Sequence, residues 1–167
     1  CQSTHDQDVL IKNNIIFKDK TTLIPGSGVD LNQYKPIAKI SSSRRIVFMA
    51  SRLLIDKGVI EFCKSAQIVK NNYSGNVDFK LAGSIDYLSP SALSLEDVKN
   101  LCKKNHVEYL GEVNCVNTLL AEADLFVYPS FFEGFGIPVL EALYSKTPVI
   151  AAIGSCLEEA GGPNSIY

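Results

Sequence analysis

Short runs of β-branched and aromatic residues recur along the chain, and most are followed by a longer stretch in which apolar positions return every three or four residues. Alternation between these two periods is the pattern of repeated β-α units, and it predicts a parallel sheet with helices packed against it. Strands are expected near 21–24, 46–50, 77–82, 107–110, 124–128 and 148–152. Helices are expected near 57–71, 94–105, 115–122 and 136–145, with a short one near 155–160. Leu95, Val98, Leu101 and Cys102 fall on one face of their helix, which can pack on the sheet, while Lys99, Lys103 and Lys104 face water.

Pro25-Gly26-Ser27-Gly28 and Ser41-Ser42-Ser43 punctuate the first third as turn and loop, and there is neither an internal repeat nor a low-complexity tract. Asp8-Val9-Leu10-Ile11 with Asn14-Ile15-Ile16-Phe17 fits a short amphipathic helix. Residues 1–20 read as an interdomain linker segment and 21–167 as one α/β domain. Pro163-Asn164-Ser165-Ile166-Tyr167 has the character of the approach to a further strand, so the domain is expected to be truncated at its C-terminus.

Composition narrows the function. A chain of 167 residues with 46% hydrophobic and 20% charged content fits one globular unit with a sizeable core. A formal charge of −2 provides no broad basic footprint, which argues against nucleic acid as a partner. The five cysteines are scattered, odd in number and never in a C-x-x-C arrangement, so neither a disulfide framework nor a zinc site is expected and a reducing cytosol fits best. No apolar run approaches the ~20 residues of a membrane span, and the opening residues do not read as a signal peptide.

The most informative segment follows the apolar run Leu125-Phe126-Val127-Tyr128-Pro129-Ser130. There Glu133 and Glu141 enclose Gly134-Phe135-Gly136-Ile137-Pro138-Val139-Leu140. A strand that ends in a Pro-Ser turn, crosses a Gly-x-Gly loop and opens a helix exposes backbone N–H groups where anions bind. Two carboxylates framing that loop can reach hydroxyl groups of a ligand whose phosphates face the amides, which describes a nucleotide-sugar pocket.

This E-x7-E arrangement resembles the motif of retaining, nucleotide-sugar-dependent glycosyltransferases, specifically glycosyltransferase family 4 and its glycogen-synthase-like relatives. The resemblance continues through Ile24-Pro25-Gly26-Ser27-Gly28-Val29-Asp30, Ala50-Ser51-Arg52 with Lys57-Gly58, Leu81-Ala82-Gly83 and Tyr109-Leu110-Gly111-Glu112-Val113. It implies a Rossmann-like parallel sheet flanked by helices, forming the donor-binding half of a GT-B fold. It also implies a missing N-terminal Rossmann-like partner half that supplies the acceptor site. In relatives of this kind, Arg52 and Lys57 would hold the diphosphate and neutralise the charge that grows as the sugar–phosphate bond breaks. Glu133 would contact donor-sugar hydroxyl groups, and Glu141 the ribose. Gly134, Phe135, Gly136 and Ile137 would contribute backbone amides, Val113 would flank the nucleobase, Gly83 would line the pocket, and Gly28 would leave room for the donor or the partner domain.

Each position also has a plainer reading. A loop arginine and a helix-start lysine are ordinary solvated charges, Gly28, Gly83, Gly134 and Gly136 suit tight turns, Val113 could be a plain loop valine, Glu133 a loop acid and Glu141 a helix-surface acid facing water. The donor implied is a UDP- or GDP-sugar, used as substrate with no cofactor and no obligatory metal. The acceptor would be a saccharide or a lipid-linked saccharide in polysaccharide or glycoconjugate biosynthesis. A cytoplasmic location is implied, with a peripheral membrane contact through the missing half left open. This chain alone is expected to bind donor but transfer sugar poorly. Asp6-Gln7-Asp8 is formally the Asp-x-Asp of metal-dependent glycosyltransferases, but it lies in a polar opening rather than after a buried strand. Two competing readings remain: a noncatalytic nucleotide-binding module of the same fold, and an NAD-dependent oxidoreductase. The latter lacks G-x-G-x-x-G in its first β-α turn.

Overall fold

The computed structural model describes residues 1–24, 26–38 and 43–167. Pro25 and the Ser41-Ser42 part of the expected loop lie outside them. Among the described residues, five strands form one parallel sheet in the order β3-β2-β1-β4-β5. They are β1 (Arg44–Ala50), β2 (Asn76–Ala82), β3 (Val107–Gly111), β4 (Leu125–Tyr128) and β5 (Val149–Ala151). The helices are α1 (Thr4–Lys12), α2 (Val59–Asn72), α3 (Leu95–Lys104), α4 (Val116–Glu122), α5 (Ile137–Tyr144) and α6 (Leu157–Gly161).

Alternation along the strands builds two cores, one on each face of the sheet. Val47 and Met49 of β1 join Phe79 and Leu81 of β2 in a cluster closed by Val59, Phe62 and Cys63 of α2 and Val98 and Cys102 of α3. Phe48, pointing the other way, joins Phe126 and Tyr128 of β4 in a cluster closed by Leu120, Val139, Ala142 and Leu157 from α4, α5 and α6. Successive residues of a strand face opposite sides, so a central parallel strand must be apolar on both. Val47-Phe48-Met49 meets that requirement.

The chain runs outward from β1 through β2 to β3, then returns to the other side of β1 with β4. Strand order therefore reverses between β1 and β4, and in open α/β sheets the crevice beyond the carboxyl ends at such a point is where ligands bind. Asp124 secures this junction: its carboxylate accepts a hydrogen bond from the Ile46 amide at 2.9 Å and another from Arg45 at 3.1 Å.

Two sequence expectations are corrected. Residues 21–24 form no strand: the Ile24 amide donates to the Cys1 carbonyl at 2.9 Å, and the Cys1 amino group donates to the Thr22 carbonyl at 3.0 Å. The segment thus pairs with the start of the chain rather than a sheet edge, and Ile24 is 64% exposed. The amphipathic helix also stops early. α1, capped by the Ser3 hydroxyl on the Asp6 amide, ends at Lys12, and Asn14 turns the chain with φ 55°, leaving Ile15 and Phe17 exposed beyond it. At the other end Ile166 bridges β5 in parallel, its amide donating to the Val149 carbonyl at 3.0 Å.

Candidate functional site

The loop after β1 carries Arg52 to the carboxyl edge of the sheet. A short 3-10 turn, Ile55–Lys57, then leads into α2. Gly58 joins the two with φ 74°, and a β-carbon there would strike the Pro129 carbonyl. Only glycine accepts both that conformation and that approach, so it is what lets Lys57 reach the loop after β4. Asp56 fastens the same turn from its other side: its carboxylate accepts from the Ser91 hydroxyl at 2.7 Å, and its carbonyl from the Phe131 amide at 2.9 Å. The Ser91 hydrogen bond, aided by Lys57 and Arg52 nearby, holds the Asp56 carboxyl below its usual range.

Lys57 is buried. Its Nζ donates to Glu133 Oε1 at 2.8 Å and to the Phe132 carbonyl at 2.8 Å. Tyr128, the last residue of β4, donates its hydroxyl to the same Glu133 oxygen at 2.7 Å. The Cys156 thiol, at the start of α6, donates to the Glu133 carbonyl at 3.1 Å. Glu133 is thus fixed through side chain and backbone by three different elements.

Beside this pair, at the switch point, opens a cavity of about 290 Å³, close to the lower end of the ~300–1,000 Å³ range of small-molecule sites. Arg52, Gly83, Val113 and Glu141 line it together with Tyr34 and Phe126. Arg52 is held at the mouth by Asp86, 2.8 Å away. Gly83 is fixed from both sides, its amide donating to the Gly111 carbonyl at 2.8 Å and its carbonyl accepting from the Tyr109 hydroxyl at 2.9 Å. Glu141, within α5, is half-buried. Burial pushes its carboxyl pKa up, and a hydrogen bond from the Tyr34 phenol works in the opposite direction. Burial first, and Glu141 second, push the Tyr34 phenol well above its ordinary range.

The loop between the two carboxylates is shaped by Gly136, which caps α5 with φ 94° and lies so near α6 that a β-carbon would stand 2.5 Å from Leu157 Cδ2. Phe135 packs on the sheet-side core, Gly134 is exposed, and Ile137 begins the helix.

The expected residues therefore fall into two adjoining groups. Arg52, Gly83, Val113 and Glu141 share one cavity, and Lys57 and Glu133 form a buried pair at its side. Gly28 is exposed and lines neither. Tyr34, Asp86, Tyr128 and Cys156 were not anticipated. Tyr128 stood in view, as the one polar-tipped side chain in the β4 run, but nothing in the spacing announced its partner.

Comparison with known proteins identifies the family. The family model described as glycosyl transferases group 1 matches residues 31–161. Among curated relatives, the N,N'-diacetylbacillosaminyl-diphospho-undecaprenol alpha-1,3-N-acetylgalactosaminyltransferase of Campylobacter jejuni is 32% identical over 161 residues, covering 89% of this chain and 40% of the relative. The UDP-Gal:alpha-D-GlcNAc-diphosphoundecaprenol alpha-1,3-galactosyltransferase of Escherichia coli is 28% identical over 163 residues, covering 91% of this chain and 41% of the relative. The chain thus spans about two fifths of the length of these relatives. A glycosyltransferase structure from Rickettsia africae superposes with a TM-score of 0.76 at 20% identity, over 95% of this chain and 45% of that one, a likeness of fold. With the Rossmann-like sheet of a GT-B half and a family match over most of its length, the chain belongs to the glycosyl transferases group 1 family.

Proposed function

We propose that this chain is the donor-binding part of a retaining glycosyltransferase of the glycosyltransferase family 4 type. It takes a sugar from a nucleotide-diphosphate sugar and passes it to a saccharide or lipid-linked acceptor. The observation that carries the reading is the cavity at the β1/β4 switch point, with the Arg52 cation at its mouth and the half-buried Glu141 carboxylate in its wall. A half-buried carboxylate that already accepts from Tyr34 has further acceptor capacity, which a ribose diol can fill. A nearby guanidinium suits a diphosphate. Val113 flanks the base and Gly83 leaves room for the donor, while Gly28, outside the cavity, leaves room for the donor or for the other half.

In this reading the diphosphate lies between Arg52, Lys57 and the amides of Gly134, Phe135, Gly136 and Ile137, fixed donors that stabilise the leaving phosphate as the glycosidic bond breaks. Glu133 contacts sugar hydroxyl groups and forms no covalent bond to the sugar. Departure and attack take place on one face, which preserves the anomeric configuration, and no metal or cofactor is required. The second wall of the cleft and the acceptor contacts come from another Rossmann-like half, so residues 1–20 serve as linker and this chain alone transfers sugar poorly. Both named relatives act on diphospho-undecaprenol-linked sugars, which favours a lipid-linked acceptor in surface-polysaccharide assembly. The E. coli relative is named for UDP-Gal, which favours UDP over GDP. Among the described residues no helix is long and apolar enough to cross a membrane. A cytoplasmic protein with peripheral membrane contact through the other half fits that pathway.

Saturation binding of UDP, GDP, ADP and NAD to this chain tests the proposal. Preference for UDP or GDP is expected. Preference for NAD would favour an oxidoreductase, and diphosphate binding without transfer by a longer form of the protein would favour a noncatalytic module.

A further inference from the structure

The carboxylate of Glu133 is held by one oxygen only. Lys57 and Tyr128 both donate to Oε1, at 2.8 and 2.7 Å, and no hydrogen bond among the described residues ends on Oε2. No buried side-chain oxygen among those residues lacks a partner, so Oε2 reaches solvent.

The two donors differ in kind. Lys57 is a compact charge on a flexible stem, and its attraction to a carboxylate does not by itself choose between the two oxygens. Tyr128 is directional: the residue is 4% exposed and its ring stacks on Phe126, with centroids 5.7 Å apart and planes inclined by 19°. Burial, reinforced by Glu133, pushes the phenol far above its ordinary range, so at neutral pH it is a protonated donor. Cys156, raised to about 11 mainly by burial, likewise stays a thiol and holds the Glu133 backbone from the other side.

We propose that Tyr128 is a positioning residue for the donor sugar: its hydroxyl, aimed by the stacked ring, pins Glu133 through Oε1 and turns Oε2 toward the sugar hydroxyl groups of a nucleotide-diphosphate sugar. The inference rests on the reading of Glu133 as the sugar-contacting carboxylate. The nucleoside and diphosphate lie against other residues, and the one they share with Glu133, Lys57, is accounted for by measuring the sugar nucleotide relative to its own diphosphate.

Tyr128→Phe keeps the ring and its stacking and removes only the donor. Calorimetry on this chain would compare UDP with UDP-glucose, UDP-galactose and UDP-N-acetylglucosamine, and GDP with GDP-mannose. In Tyr128→Phe the dissociation constant of the preferred sugar nucleotide, divided by that of its diphosphate, should rise about tenfold. That is the low end for one hydrogen bond to a charged group. Affinity for the diphosphate itself should stay within about twofold. In a Glu133→Ala background the same substitution should leave the ratio unchanged, because the group being aimed is gone. A ratio that moves in Glu133→Ala but not in Tyr128→Phe overturns the positioning role and leaves the sugar contact standing. Equal weakening of both ligands by Tyr128→Phe marks packing damage and overturns it too. A ratio indifferent to Glu133→Ala, or no binding of either diphosphate, removes the sugar contact and this proposal with it.

Discussion

Lys57 and Glu133 meet at 2.8 Å with 8% and 14% of their side chains exposed, joining the start of α2 to the loop after β4. Removing one member of such a pair leaves the other charged and desolvated, which typically costs about 3–5 kcal/mol, whereas replacing both by neutral groups of similar size is often tolerated. Lys57→Ala should therefore lower stability by about 3 kcal/mol or more, and Lys57→Met with Glu133→Gln should lose clearly less than Lys57→Ala alone. Urea unfolding of the variants decides. A double variant as unstable as the single one would mean that packing, not charge, governs this contact.

Arg52 is already occupied. Its guanidinium pairs with Asp86 at 2.8 Å, with 59% of the Arg52 side chain exposed. A diphosphate bound to Arg52 as proposed would have to compete with that contact, but exposed pairs contribute only ~0–1 kcal/mol, so the competition would be mild. Arg52→Ala should weaken UDP far more than uridine, since the proposed partners are phosphate oxygens. Asp86→Asn should strengthen UDP binding by up to about fivefold. Equal losses for UDP and uridine in Arg52→Ala would place this cation away from the phosphates.

Parallel strands buried on both faces are written as continuous apolar runs, which is why β1 and β4 could be read directly from Ile46-Val47-Phe48-Met49 and Leu125-Phe126-Val127-Tyr128. Thr21-Thr22-Leu23-Ile24 has a similar local character but no neighbour in the sheet, and pairing partners are not encoded in a four-residue pattern. The site divides the same way. Arg52, Gly83 and Val113 follow strands, and strand ends converge at one edge, so their shared cavity was legible once a parallel sheet was inferred. The hydrogen bonds of Tyr128, Cys156 and Tyr34 depend on side-chain directions set by the packing of β4, α6 and the segment before β1. Those directions exist only in the folded chain.

Gly136 and Gly134 look equivalent in sequence and differ in structure. Gly136 has φ 94°, and a β-carbon there would stand 2.5 Å from Leu157 Cδ2, whereas Gly134 has no positive φ and its nearest neighbour would be Gln2 Oε1 at 3.4 Å. A left-handed conformation costs a residue with a β-carbon about 1–2 kcal/mol, and crowding of the buried Leu157 adds to it. Gly136→Ala should therefore destabilise by about 2 kcal/mol or more and weaken diphosphate binding by shifting the start of α5, while Gly134→Ala stays within about 0.5 kcal/mol. Thermal melts alongside UDP titrations test both halves. Equal sensitivity at the two positions would remove the special role given to Gly136.

The proposed ribose contact of Glu141 would tie donor recognition to pH. Burial raises its carboxyl pKa, so the folded protein holds this proton more tightly than the unfolded chain does. A group shifted in that direction contributes stability that is fully present below its unfolded value and is lost as pH rises through the folded value. At neutral pH Glu141→Gln should accordingly be more stable than the unsubstituted chain, with the difference closing as acid protonates Glu141. Ribose binding runs the other way, because the ionised carboxylate is the better acceptor. Preference for UDP over its 2′-deoxy counterpart should fall as pH drops through the raised pKa, and Glu141→Ala should abolish most of it at neutral pH. Hydrogen bonds to a charged group contribute roughly 1.5–3 kcal/mol, about ten- to 150-fold in affinity. Comparing the two sugars cancels general damage to α5, which would penalise both alike. If the unsubstituted chain binds the two equally, or Glu141→Ala keeps the full preference, the carboxylate does not read the ribose and the pairing of Glu133 with Glu141 around one donor is wrong.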